Sequence, residues 1–219
     1  MIQYDAIYLK IRDAIVTQQL VPGVRLPEDK LAERFKVSRT AIRKVLQQLA
    51  IERFITIQPN KGAEVRTPSA TEAQEVFESR ILIETGLIPA IAKYWQPHHA
   101  ENLRKVIAQE DRAKNENNFA AAIRYTALFH IELAKVANND TLTQFVEQLA
   151  FRSSLIIAVF GTKHSVGCDC GSHIELIALL DKGEVQAATI WMKHHLEVIQ
   201  DSLQFDSDNK PVDFDALFH

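Results

Sequence analysis

The chain has 219 residues, 47% of them hydrophobic, with only 7 Gly and 7 Pro. That is enough apolar content for one or two domains built from long regular elements. No run of 18 apolar residues and no charged-then-apolar N-terminal pattern is present, so neither a membrane span nor a secretory signal is expected and we read a cytoplasmic protein. The formal charge of −3 conceals an asymmetry. Residues 1–66 hold 12 Lys/Arg against 7 Asp/Glu, a balance of +5, and the remainder holds 13 against 21, a balance of −8, with all eight histidines after residue 66. A basic module joined to an acidic, histidine-bearing one is the pattern of a DNA-binding domain fused to something else.

Residues 4–18 place Ile7, Ile11, Ala14 and Ile15 on one face and read as an opening helix, followed by a turn at Leu20-Val21-Pro22-Gly23. Next comes a short helix with Leu31, Ala32 and Phe35 inward, and Val37 in the turn. Ser38 can cap the following helix by accepting from a first-turn N–H. Ile42, Val45, Leu46 and Leu49 then recur at i, i+3, i+4 and i+7, one buried face. Ser38, Arg39, Thr40, Arg43 and Lys44 occupy the other face, within the first two turns. A second helix with a basic, hydroxylated N-terminal end is the form of a recognition helix in the major groove. Arg39 can fork onto guanine, while Thr40, Arg43 and the helix N-terminus suit phosphates. Two strands around Pro59-Asn60-Lys61-Gly62 then make a β-wing with a basic tip.

This stretch resembles the winged helix-turn-helix of GntR-type transcription regulators. The resemblance rests on Gly23, Leu26, Leu31-Ala32, Val37-Ser38-Arg39-Thr40, Ile42-Arg43, Val45-Leu46, Leu49, Gly62 and Val65. It implies DNA contacts from Arg39, Thr40, Arg43 and the wing at Lys61-Gly62, and we add Arg25 and Ser38 as candidates beside them. Two positions depart from the family pattern: Lys36 stands where the helical turn usually has Gly, and Arg53 where Gly usually ends the recognition helix. If both keep positive φ, each costs on the order of 1 kcal/mol relative to Gly.

Arg66 to Ala70 is a short linker, and Ser69 or Thr71 can cap the next helix. From there the period is helical, in six segments at 71–94, 98–114, 117–137, 141–163, 170–181 and 184–204. The expected fold is therefore mostly α. A winged helix-turn-helix occupies residues 1–67 and an all-α six-helix bundle residues 70–205, with an acidic tail at 206–219. His130, His173 and His195 each stand among core-type residues on a different segment. Each alone could be a satisfied core histidine. Three on facing helices of one bundle point to a divalent metal, zinc first, because neutral imidazole is the commonest ligand for it.

The second half also resembles the C-terminal ligand-binding domain of the FadR/VanR branch of GntR regulators, the FCD domain. The carrying residues are Val76 to Arg80, Ile83-Glu84, Phe129-His130, Asn138, His173, Ile177 and His195-Leu196. In that family three histidines and an acidic residue four positions before the first hold a divalent metal, with small carboxylate effectors at or beside it. Here the acidic position is Thr126, a poor metal ligand, so the resemblance implies three histidine ligands with open positions, and Thr126 beside the effector. Arg80 can take an effector carboxylate through two hydrogen bonds, or pair with Glu84 at i, i+4. Cys168-Asp169-Cys170 has neither disulfide-framework nor standard zinc-finger spacing.

The function expected is a transcription regulator, read as a repressor. It would bind a palindromic operator as a homodimer and be controlled by a small carboxylate near the metal. A metal sensor is the alternative. A metal-dependent hydrolase would need a general base at the histidines, and no H-E-x-x-H occurs.

Overall fold

The structure, a computed structural model, describes residues 3–161 and 172–205. Its N-terminal unit comprises α1 (Gln3–Val16), α2 (Glu28–Phe35), α3 (Arg39–Ile51), β1 (Ile55–Gln58) and β2 (Gly62–Val65). The bundle comprises α4 (Ala70–Tyr94), α5 (Pro97–Asn115), α6 (Phe119–Lys135), α7 (Asp140–Phe160), α8 (His173–Asp181) and α9 (Val185–Asp201). The fold is thus mostly helical with one two-stranded antiparallel wing, in the register Ile55 to Val65 through Gln58 to Gly62.

The periodic faces are the buried ones. Ile7, Ile11 and Ile15 of α1 close over Ile42, Val45, Leu46 and Leu49 of α3, all at 4% exposure or less. Ser38 caps α3, its hydroxyl accepting from the Ala41 N–H at 3.2 Å. Lys36 (φ 54°) and Arg53 (φ 64°) both hold left-handed backbone. The turn geometry of the family is therefore kept without glycine: the Val37 N–H returns to the Ala32 carbonyl and the Phe54 N–H to that of Leu49. At the wing tip Asn60 (φ 61°) and Gly62 (φ 83°) reverse the chain, conformations that Asn and Gly tolerate best.

Several helix limits differ from the periodicity. The segment expected at 117–137 is helical only over Phe119–Lys135, because Asn117 and Asn138 adopt positive φ outside each end and Asn118 caps the start. The segment expected to 163 stops at Phe160. Gly161 turns the chain where a Cβ would sit 2.3 Å from the Ile157 carbonyl oxygen. The segment expected from 170 begins at His173, capped by Ser172, and of the two possible caps for α4, Ser69 is used, accepting from Glu72 N–H. Cys168, Cys170 and the acidic tail lie outside the described residues.

The two units are packed rather than tethered. One hydrophobic cluster runs from the α1/α3/wing core into Ala127, Ile131, Ala150, Phe151 and Leu155 of the bundle. Phe54 meets Phe151 with ring centroids 6.3 Å apart, and the Arg12 guanidinium lies 4.1 Å over the Phe151 ring. At the linker Glu72 receives two hydrogen bonds from Arg66 (2.9 and 2.7 Å) and one from Arg152 of α7 (2.7 Å).

Candidate DNA interface and histidine centre

The N-terminal end of α3 presents Ser38, Arg39, Thr40 and Arg43 to solvent. Arg25 is exposed, and its backbone forms an isolated antiparallel β-bridge with that of Glu64 in the wing. Lys61 and Gly62 are exposed at the wing tip. Tyr4 and Lys44 join Ser38, Thr40 and Ala41 around a surface depression of about 500 Å³. Sequence periodicity did not bring Tyr4 there; its hydroxyl donates to the Lys44 carbonyl at 3.3 Å. The arginines are not bare. Arg43 donates twice to Glu28, at 3.2 and 2.8 Å, and Arg39 pairs with Asp29. The Arg43 hydrogen bond holds the Glu28 carboxyl below the ordinary range. Pairs this exposed are screened by solvent and weak, so phosphate or guanine can replace the carboxylates at little cost.

In the bundle, α6, α8 and α9 bring His130, His173 and His195 together, all at 5% exposure or less. One potential ligand atom from each lies within 4.8 Å of the others. Each of two rings is held from behind by a carboxylate. His130 Nδ1 meets Glu84 Oε2 at 2.6 Å, and His173 Nδ1 meets Glu110 Oε2 at 2.7 Å. An ionised carboxylate can only accept, so Nδ1 of each ring carries a hydrogen; in a neutral ring held this way the lone pair is on Nε2, the tautomer of a metal-ready histidine.

The charges agree with that assignment. Burial works to raise Glu84, but Arg80 and His130 outweigh it and hold its carboxyl down at about 2. Burial likewise opposes ionisation of Glu110, and His173 with Lys114 holds it at about 2. Burial lowers His130 to about 4, with the Arg80 charge assisting and Glu84 opposing. His195 is pushed well below 6.5 by burial and then by His173. His130 and His195 are therefore neutral near pH 7.

The donor set fits a divalent metal. His173 Nε2 and His195 Nε2 are 3.3 Å apart. Two nitrogens at zinc–nitrogen distances of about 2.0–2.1 Å and a tetrahedral angle stand about 3.3 Å apart. The third nitrogen, His130 Nε2, is buried without a hydrogen-bond partner, a deficit that would cost about 1–3 kcal/mol if left uncompensated. Thr126 does not replace the missing acidic ligand. Its hydroxyl donates to Glu110 Oε1 at 3.0 Å, so it steadies the carboxylate behind His173.

Arg80 makes the i, i+4 pair with Glu84. At 2% exposure, its Nε donates to Glu84 at 2.7 Å and its Nη1 to Ser153 Oγ at 2.9 Å. Its Nη2 is buried with no partner. The sequence pattern did not single out Glu110, Lys114, Ser153 or Trp191. Glu110 was readable only as one face of an i, i+4 pair with Lys114, which it also makes, at 2.7 Å.

Comparison with known proteins agrees with both halves. Residues 3–65 match the family "Bacterial regulatory proteins, gntR family", and residues 75–198 match the FCD domain. The Nta operon transcriptional regulator of Aminobacter aminovorans is 24% identical over 180 residues, covering 82% of this chain and 84% of that protein. The Uxu operon transcriptional regulator of Escherichia coli strain K12 is 23% identical over 239 aligned residues, covering 97% and 91%. Among solved structures, a GntR transcriptional regulator of Rhodococcus sp. RHA1 superposes with a TM-score of 0.78 at 20% identity, covering 92% of this chain and 97% of that one. E. coli McbR/YncC superposes with a TM-score of 0.75 at 18% identity, covering 92% and 95%. With a wing and recognition helix in front and an FCD bundle behind, the chain belongs to the GntR family of DNA-binding transcription regulators and is not an enzyme.

Proposed function

We propose that this regulator is a homodimeric repressor of a palindromic operator, relieved by a small carboxylate bound in the bundle beside a divalent metal, zinc in the first instance. The observation that carries the proposal is a pair of buried atoms without partners, Arg80 Nη2 and His130 Nε2, in one hydrogen-bonded cluster linked through Glu84. Buried polar atoms are rarely left unpaired, and a guanidinium N–H with a neutral imidazole lone pair together ask for an anion and a cation. His130, His173 and His195 would hold the metal, which when bound supplies open coordination positions to an anionic oxygen. Arg80 binds and orients the carboxylate, and Thr126 acts on the effector side through Glu110, which it holds behind His173.

On the DNA side, Arg39 reads guanine, Ser38, Thr40, Arg43 and Arg25 hold phosphates, and Lys61-Gly62 follows the backbone from the wing. One head makes few contacts; a two-fold dimer doubles them and fixes the half-site spacing. Effector control requires that the carboxylate prefer the bundle state in which the heads do not fit the operator. The route is short. Ser153, which holds Arg80, is preceded on α7 by Arg152, which holds Glu72 at the linker, and before it by Phe151, packed on Phe54.

Elemental analysis of untagged protein tests the metal, with thermal shifts against small carboxylic acids testing the effector. Near-stoichiometric metal, lost in His130→Ala and His173→Ala, together with an acid that stabilises only the metal-loaded form, supports the proposal. No metal, with an acid still acting through Arg80, would replace it with direct anion binding by the histidines. A second reading, that the metal itself is the signal, is favoured by the carboxylates already in place behind His130 and His173. It requires DNA binding to change on metal addition alone.

A further inference from the structure

His130 and His173 are each oriented by a carboxylate, Glu84 and Glu110. The His195 ring is stacked on Trp191. The indole of Trp191, one turn earlier on α9, lies almost parallel to the His195 ring, with an interplanar angle of 11° and centroids 4.8 Å apart. The same indole is 6.1 Å from the His173 ring, and its Nε1–H donates to Glu175 Oε2 on α8 at 3.2 Å. Trp191 therefore touches both helices that carry the closest pair of imidazoles, those with Nε2 atoms 3.3 Å apart.

We infer that Trp191 is a positioning residue for His195: its indole sets the plane of the third imidazole, so that the histidine site binds a divalent cation tightly and reports that binding through Trp191 fluorescence. This rests on the metal reading of the three histidines. A side chain at i, i+4 on a helix is a direct neighbour, and flat rings offset in parallel hold each other's orientation. An imidazole lone pair points in the ring plane, so whatever fixes that plane fixes where the nitrogen aims. Residues behind metal ligands commonly change affinity by about 10–100-fold when replaced. The other tryptophan of the chain, Trp95, donates instead to Asp181 at 2.9 Å, which makes the two signals separable.

The test compares full-length wild type with Trp191→Phe and Trp191→Leu, using Zn²⁺ alone as the probe. Phe keeps a flat ring and Leu fills similar space without one; both lose the bond to Glu175. Chelator competition is expected to give Trp191→Phe an affinity within about threefold of wild type and Trp191→Leu one about tenfold or more weaker. Tryptophan emission should change on Zn²⁺ addition, saturate at one equivalent in the wild type, and stay flat in Trp191→Phe. Visible absorption of the Co²⁺-loaded forms, which reports ligand geometry, should be wild-type-like for Phe and altered for Leu. Equal affinities for Leu and wild type, or an equal loss in Phe and Leu, would overturn the assignment while leaving the metal reading intact. No Zn²⁺ binding by the wild type would overturn both.

Discussion

Arg80 and Ser153, on α4 and α7, are joined by a 2.9 Å hydrogen bond in the bundle interior, and Arg152, the residue beside Ser153, holds Glu72 at the linker. Ser153 passes its own hydrogen to the Ala150 carbonyl at 2.9 Å, so its lone pair is the part it offers to Arg80. Ser153→Ala would leave a second guanidinium nitrogen unpaired in a buried place, at a cost of about 1–3 kcal/mol. Urea denaturation should show that loss, and a carboxylic acid that stabilises the wild type should bind the variant more weakly because Arg80 is no longer aimed.

Glu72 sits between Arg66 and Arg152, its side chain 13% exposed. Burial pushes its carboxyl up, but Arg152 and Arg66 outweigh it and hold it below 4.5. A depressed folded pKa means stability that is complete above about pH 4.5 and is lost as the pH falls through the folded value. Glu72→Gln should therefore cost on the order of 1 kcal/mol at pH 7, with the difference from wild type shrinking below pH 4.5. Thermal melts across that range check it. If the clamp transmits the effector signal, the variant should still be stabilised by the acid while its DNA release is blunted.

Arg39 and Arg43 should separate by function. Arg39→Ala is expected to weaken a selected site by about 1–3 kcal/mol and random DNA far less. Arg43→Ala should weaken both alike and lower the salt slope by about 1. Glu28→Gln, which frees Arg43 from its carboxylate, should raise affinity for random DNA. Fluorescence anisotropy at several salt concentrations distinguishes the three.

Lys36 and Arg53 hold positive φ without being glycine. Lys36→Gly and Arg53→Gly should each stabilise the chain by about 1 kcal/mol, roughly 2–4 °C in Tm for a chain of this size. Calorimetry reads this directly.

The winged helix-turn-helix was legible because Ile42, Val45, Leu46 and Leu49 repeat at the helical period, and Ser38 and Gly62 are local signals at either end. The clustering of His130, His173 and His195 was legible as three histidines on three apolar faces. What was not legible depends on contacts between distant segments. Glu110 has the spacing of an ordinary surface i, i+4 pair with Lys114, and nothing in that spacing says that its other oxygen meets His173. Thr126 reads as a lost ligand, and its contact with Glu110 appears only once α5 and α6 are packed. The helix ends at Asn117, Asn138 and Gly161 were missed by a few residues, because apolar period continues past the point where backbone geometry stops.

Control of the DNA heads by a carboxylate bound through Arg80 beside the histidines can be read by anisotropy on a duplex selected from random sequence, with and without the stabilising acid, for metal-loaded wild type and Arg80→Ala. Both proteins should bind tightly, and the acid should release the wild type alone. Release of both proteins to the same extent, or of neither, would contradict it.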